Sequence, residues 1–137
     1  MGDSMKHILI VDDDSDIRLL LRSILESYGY RCDEARNGLE AVQKIEACAF
    51  ALILLDYSMP VMNGLELIRR ITRTSWCSRP QMIMMTAHTD ETLRSQALEA
   101  GAAAVLSKPF DLDQVLLAIG RALKDAHVSS PCHHHPS

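Results

Sequence analysis

Aromatic residues are scarce: one tryptophan, three tyrosines and two phenylalanines in 137 positions. A core built from this chain must be aliphatic, although the 47% hydrophobic content is ordinary for a globular domain. Long apolar runs are missing too. The longest, Ala47 to Leu55, has nine residues, against roughly 20 for a helix that crosses a bilayer. The polar N-terminus is not a signal peptide, so the expectation is a cytoplasmic protein without membrane contact. Cys32, Cys48, Cys77 and Cys132 are irregularly spaced and form no CxxC pair, which argues against a zinc site or a disulfide framework and for reduced, structural thiols. No excess of positive charge exists: the net charge is −4 and the pI about 5.8. With no basic stripe expected along the helices, direct nucleic-acid binding is not expected.

What is present is a set of short apolar runs that each stop at a polar residue. Ala51-Leu52-Ile53-Leu54-Leu55 ends in Asp56, Tyr57, Ser58, Met59 and Pro60. Such a run without polar alternation suits a parallel strand covered on both faces, and Pro60 forbids its continuation. An isolated acid there would read as a turn or capping residue. Asp56 is not isolated. His7-Ile8-Leu9-Ile10-Val11 runs into Asp12, Asp13 and Asp14; Gln81 to Met85 runs into Thr86; Ala102 to Leu106 runs into Ser107, Lys108, Pro109 and Phe110. Tyr30 to Ala35 is a weaker, more polar strand suited to a sheet edge.

Helical spacing fills the intervals. Ile17, Leu20, Leu21, Ile24, Leu25 and Tyr28 share a periodic face after a cap at Asp14 or Ser15, and Gly29 closes that helix. Asn37-Gly38 opens a helix carrying Leu39, Val42 and Ile45, and Asn63-Gly64 opens one carrying Leu65, Ile68 and Ile71. A thin apolar face from Asp90 to Ala100 predicts a mobile fourth helix closed by Gly101. Asp111 and Gln114 resemble a capping box for a fifth, with Leu112, Val115, Leu116, Ile119 and Leu123. Thr72 to Pro80 reads as a loop with Trp76 packed on the surface, and Met82, Met84 and Met85 as core filler. Five strands alternating with five helices give an α/β, doubly wound, parallel sheet with helices on both faces.

Residues 6–125 thus form one domain. Met1 to Met5 read as a leader added for expression, and 126–137 as a disordered tail whose Cys132-His133-His134-His135 is a partial tag or a solvated end rather than a metal site. No output module is expected within this length, so the chain is either a single-domain regulator or part of a longer protein.

In a parallel sheet, Asp12, Asp13, Asp56, Thr86 and Lys108 all reach one edge, where ligands of open α/β sheets bind. Gathered carboxylates repel unless something positive neutralises them; Lys108 supplies one charge and a divalent cation the rest. Oxygen-only donors with open positions suit Mg²⁺, or Mn²⁺, better than a Ca²⁺ cage. The set fits phosphoryl transfer, with Asp56, the acid placed alone, as nucleophile.

Val11-Asp12-Asp13-Asp14-Ser15, Leu55 to Pro60 with Asn63-Gly64, Met85-Thr86-Ala87 and Lys108-Pro109-Phe110 resemble the receiver domain of two-component response regulators. The resemblance implies a flavodoxin-like sheet of order 2-1-3-4-5 and a cis Lys108–Pro109 bond. It implies that Asp56 accepts a phosphoryl group from a sensor histidine kinase or a histidine phosphotransfer protein. Asp12, Asp13, Asp56 and the Ser58 backbone carbonyl would hold Mg²⁺, while Thr86 and Lys108 contact phosphoryl oxygens. Such a chain is not an enzyme beyond self-phosphorylation and autodephosphorylation. It would signal to a downstream protein, or pair with a second copy, through the face of the fourth helix, fifth strand and fifth helix. Ser58 and His88 stand where family members tune the access of water, although His88 also fits a solvated loop. The departure is Val105, where a switch aromatic often stands. It keeps open a phosphorylation-independent scaffold or dimerisation module. A phosphohydrolase is disfavoured because Ser58 stands where such enzymes usually carry a second carboxylate.

Overall fold

The structure is a computed structural model and describes residues 6–74, 79–88 and 90–128, with side chains to 124. Ten elements alternate: β1 (His7–Val11), α1 (Ser15–Ser27), β2 (Arg31–Ala35), α2 (Gly38–Ala47), β3 (Leu52–Asp56), α3 (Gly64–Arg73), β4 (Gln81–Thr86), α4 (Glu91–Ala100), β5 (Ala104–Ser107) and α5 (Leu112–Val128). The strands are all parallel in the order β2-β1-β3-β4-β5, the expected flavodoxin-like arrangement. The weak strand β2 lies at an edge, as its polarity suggested.

The continuous apolar runs resolve into two faces because strand side chains alternate. Leu9, Val11, Ile53, Leu55, Met82 and Met84 point to one side and meet α2, α3 and α4 through Ala41, Ile45, Leu65, Ile68, Ile71, Leu93 and Ala97. Ile8, Ile10, Leu52, Leu54, Ile83 and Met85 point to the other and meet α1 and α5 through Leu21, Leu25, Val115, Ile119 and Ala122. The three methionines are core residues, each at most 1% exposed.

Helix caps follow the sequence. Asp14 accepts the amides of Asp16 and Ile17, Asn37 that of Glu40, and Asn63 forms a capping box with Glu66. At α5 the expected Asp111–Gln114 box is replaced by a simpler cap: the Asp111 side chain accepts the amide of Asp113, while the Gln114 amide bonds the Asp111 carbonyl at 3.0 Å. Gly29 and Gly101 follow α1 and α4 at φ +91° and +128°, where side chains are disfavoured.

Several expectations need adjustment. Leu20 and Tyr28 on α1 and Leu39 on α2 are exposed rather than inward: α1 buries only Leu21 and Leu25, and α2 turns Ala41 and Ile45 to the sheet. Strand β5 begins at Ala104, because the Ala103 amide is already bonded to the Met82 carbonyl at 2.7 Å in the approach to the sheet. Helix α3 continues to Arg73, so the following loop starts at Thr74 rather than Thr72, and α5 runs to Val128, past the boundary drawn at 125. Residues 1–5, Trp76, Cys77 and the Cys132–His135 run lie outside the described residues.

Edge strand β2 is tied down by charge. Glu34 accepts from Arg18 Nε at 2.9 Å and from Arg22 Nη1 at 3.1 Å, and Lys44 Nζ reaches the Glu34 carbonyl at 2.6 Å. Partial burial would raise the Glu34 carboxyl, but the two guanidinium groups outweigh it and hold the group below its ordinary value of 4.5. A carboxyl held low in the folded state contributes stability above its unfolded pKa and loses it as pH falls through the folded value. Glu34→Gln should therefore cost about 1 kcal/mol at pH 7. The penalty should vanish as urea-unfolding series descend below pH 4.5; a pH-independent penalty would contradict this account.

Candidate functional site

The parallel sheet brings the C-terminal ends of β1, β3, β4 and β5 to one edge, and four of the predicted side chains meet there. Ligand oxygens of Asp12, Asp13 and Asp56 lie within 4.8 Å of one another. Lys108 Nζ sits between two of these acids, 2.8 Å from Asp56 Oδ1 and 3.4 Å from Asp12 Oδ2. Asp12 and Asp56 are buried, whereas Asp13 faces solvent.

Local backbone bonds fix each group. The Asp12 amide donates to the Ala35 carbonyl at 3.1 Å, and Asp12 Oδ1 accepts the Asp14 amide at 2.9 Å. Asp56 is the last residue of β3, and the next amide, of Tyr57, donates to the Met85 carbonyl at 2.8 Å. The chain then returns through Gly64, whose amide donates to the Tyr57 carbonyl at 2.8 Å. A Cβ on Gly64 would lie 2.7 Å from the Asp56 carbonyl oxygen and 2.9 Å from Tyr57 Cα, so the close approach requires glycine. The Lys108 amide bonds the Thr86 carbonyl at 2.7 Å, and the Lys108–Pro109 bond is cis.

Thr86 closes β4 on the same edge and is buried. Its Oγ1 accepts the His88 amide at 2.9 Å, and it lines a hollow with Asp90, Arg94, Val105 and Ser107. Ser58 is exposed in the loop after β3, two residues beyond Asp56. His88 is exposed, and its ring meets Tyr57 edge-on at 5.7 Å. Val105 is buried in β5, and its carbonyl accepts from Arg94 Nη1 at 3.0 Å.

Charge sets the chemistry of this edge. Burial pushes the Asp12 and Asp56 carboxyls above their ordinary range; hydrogen bonds and Lys108 oppose this, and the neighbouring acids add to it. Burial alone would lower Lys108, but hydrogen bonding and attraction to Asp56 and Asp12 prevail and raise it, so it stays cationic. Three carboxylates against one ammonium leave unbalanced negative charge surrounded by oxygen donors, which suits a hard divalent cation.

Sequence reasoning missed Arg18. Its Nη1 donates to the Asp12 carbonyl at 2.6 Å while its Nε pairs with Glu34, so β2 and α1 together brace the loop that carries Asp12 and Asp13. Nothing local marks it: its side-chain partners, the Asp12 carbonyl six residues back and Glu34 on β2, are brought to it by the fold.

Comparisons with known proteins agree with this geometry. The family model of the response regulator receiver domain matches residues 8–120, and the chain belongs to that family. It is 41% identical over 123 residues to the transcriptional regulatory protein ResD of Bacillus subtilis, covering 90% of this chain and 50% of that protein. The chain thus spans about half the length of this relative. It is 34% identical over 118 residues to sporulation initiation phosphotransferase F of the same organism, covering 86% of this chain and 94% of that one. Among solved structures, the response regulator TrrA from Thermotoga maritima, in complex with Mg²⁺ and BeF, superposes with a TM-score of 0.76 at 34% identity, over 86% of this chain and 99% of that one. No helix of the described residues is long and apolar enough to cross a membrane.

Two outcomes test the electrostatic description. Asp13→Asn removes one repelling charge at an exposed position, so without metal the protein should gain about 0.5 kcal/mol, or roughly 2 °C in thermal midpoint. The same substitution should reduce the stabilisation produced by added Mg²⁺; thermal scans with and without the ion measure both. Gly64→Ala should cost about 2 kcal/mol in urea unfolding, because the obstacle is backbone that cannot step aside.

Proposed function

We propose that this chain is a phosphorylation-controlled signalling module in which Asp56 is the phosphoacceptor. The observation that carries this reading is the Lys108 ammonium lying 2.8 Å from Asp56 and 3.4 Å from Asp12, beside a three-carboxylate cluster. In the transfer, an Asp56 carboxylate oxygen bonds to phosphorus as the bond from phosphorus to the donor's imidazole nitrogen breaks; that nitrogen keeps the electron pair. The donor is a phosphohistidine on a sensor histidine kinase or a histidine phosphotransfer protein.

The Asp12, Asp13 and Asp56 carboxylates, with the Ser58 backbone carbonyl, would hold Mg²⁺ or Mn²⁺, which when bound neutralises charge on the transferred group. TrrA, solved with Mg²⁺ and BeF, supports this assignment. Lys108 holds Asp56 oriented before transfer and follows the negative charge outward onto the phosphoryl oxygens afterwards. The Thr86 hydroxyl, now accepting from the His88 amide, turns to donate to a phosphoryl oxygen. That rearrangement draws on the loop before α4, and Arg94 extends it to β5 through the Val105 carbonyl. The output is altered partner binding, or pairing of two copies, at the face of α4, β5 and α5.

Val105 in place of an aromatic favours one competing reading, a constitutive scaffold with the same fold; partner binding unchanged by Asp56→Asn would select it. The primary test uses Mg²⁺, a small acyl phosphate donor and intact-mass spectrometry. Wild type should gain one phosphoryl group, Asp56→Asn none, and Lys108→Ala should react about a hundredfold more slowly. Phosphorylation that persists in Asp56→Asn would sink the assignment.

A further inference from the structure

Outside the acid cluster, the most unbalanced charge lies on α3. Its outward stripe carries Glu66, Arg69, Arg70 and Arg73 at helical spacing, opposite the buried Leu65, Leu67, Ile68 and Ile71. This corrects the expectation that no helix carries a basic stripe: Arg69, Arg70 and Arg73 share the exposed side of α3, and the acidic net charge of the whole chain conceals them. Among the described residues the ion pairs of Arg18, Arg22 and Arg36 are intramolecular, and Arg94 is bonded to β5. Among the described residues, no ion pair holds Arg69, Arg70 or Arg73. Glu66, the only acid in α3, is committed to the capping box, its Oε1 accepting the Asn63 amide at 2.9 Å.

The stripe also borders a hollow. Val61, Met62, Glu66, Arg69, Arg70 and Arg73 line an open concavity of about 390 Å³. Val61 forms its rim and is 77% exposed at φ +73°. A β-branched residue in the left-handed region is a conformational outlier, and such outliers persist where the surroundings impose them. Cations in the last turn favour a helix by opposing its dipole, which accounts for Arg70 and Arg73. It does not account for a hollow that joins them to an exposed valine before the helix begins.

We propose that this concavity is a docking surface for an acidic peptide segment of a partner protein. Carboxylates of that segment would pair with Arg69, Arg70 and Arg73, whose planar guanidinium groups match carboxylates two bonds at a time, and an apolar side chain would cover Val61. A nucleic acid also supplies anions but no aliphatic side chain to cover the exposed Val61, and the deoxythymidine decamer below is the arm that distinguishes it. The lining begins at Val61, between Asp56 and α3, and includes none of Asp12, Asp13, Asp56 or Lys108, so an occupant touches the segment that follows Asp56 without lying among the acids.

The test is fluorescence anisotropy on the full chain with a labelled decapeptide of alternating Glu and Leu, a matched Lys and Leu peptide, and a deoxythymidine decamer. The Glu peptide should bind saturably, weaken as salt rises from about 50 to 200 mM, and lose about tenfold in affinity in Arg69→Glu/Arg73→Glu. Val61→Gly, which frees the backbone, should lose about threefold through the apolar contact alone. Both variants should keep the wild-type circular-dichroism spectrum and cooperative urea unfolding, which shows that they fold and keeps this test separate from that of the phosphoacceptor. Absent or non-saturable binding of the Glu peptide, equal affinity in the doubly reversed variant, or binding of the decamer as tight as that of the peptide would each overturn the proposal.

Discussion

Lys108 bridges two buried carboxylates, and the functional edge of the sheet depends on that bridge. Asp12 and Asp56 come from neighbouring strands, so the same pairing of β1 with β3 that forms the core forces them together. Without a cation between them, burial and mutual repulsion would push both carboxyls further above their ordinary range. Lys108 arrives from β5, two strands from β3, on a turn whose amide is anchored to the Thr86 carbonyl. Bringing the amine back across β4 takes the whole width of the sheet on that side. The site is therefore a property of the completed sheet rather than of any one segment.

The core explains why that edge can carry so much unbalanced charge. Alternate residues of β1, β3 and β4 feed two separate apolar layers, one under α1 and α5 and the other under α2, α3 and α4. Each strand is gripped from both sides along its length, and its apolar run gives way to a polar residue at the end: Asp12 just after β1, and Asp56 and Thr86 as the last residues of β3 and β4. The repulsion at the ends is carried by a body of buried aliphatic side chains at most a few per cent exposed, which the sparse aromatic content anticipated.

The sequence was most legible where physics is local. Apolar runs stopping at Asp12, Asp56, Thr86 and Lys108 marked the strands and their ends; Asn-Gly pairs marked helix starts; the polar β2 announced an edge. Legibility fell where a residue's environment is set by distant chain. Leu20, Tyr28 and Leu39 fit a helical period, yet how each helix rolls on the sheet decides which side of a wide stripe is covered. The Arg18–Glu34 pair that braces Asp12 spans two elements whose adjacency is fixed only by topology. The start of β5 was misplaced by two residues, because Ala102 and Ala103 are as apolar as the strand but serve as its approach.

Sheet order has one more consequence. β5 lies at the border of the sheet opposite β2, and unsatisfied backbone groups at such a border can template pairing with foreign strands. The Arg94 guanidinium, reaching from α4 to the Val105 carbonyl at 3.0 Å, occupies one of those acceptors with a side chain. Helix α4 is thus also a guard on the border. Any state that draws α4 away from β5 uncovers main-chain hydrogen-bonding capacity along with side chains, and an extended segment could be recognised there whatever its sequence.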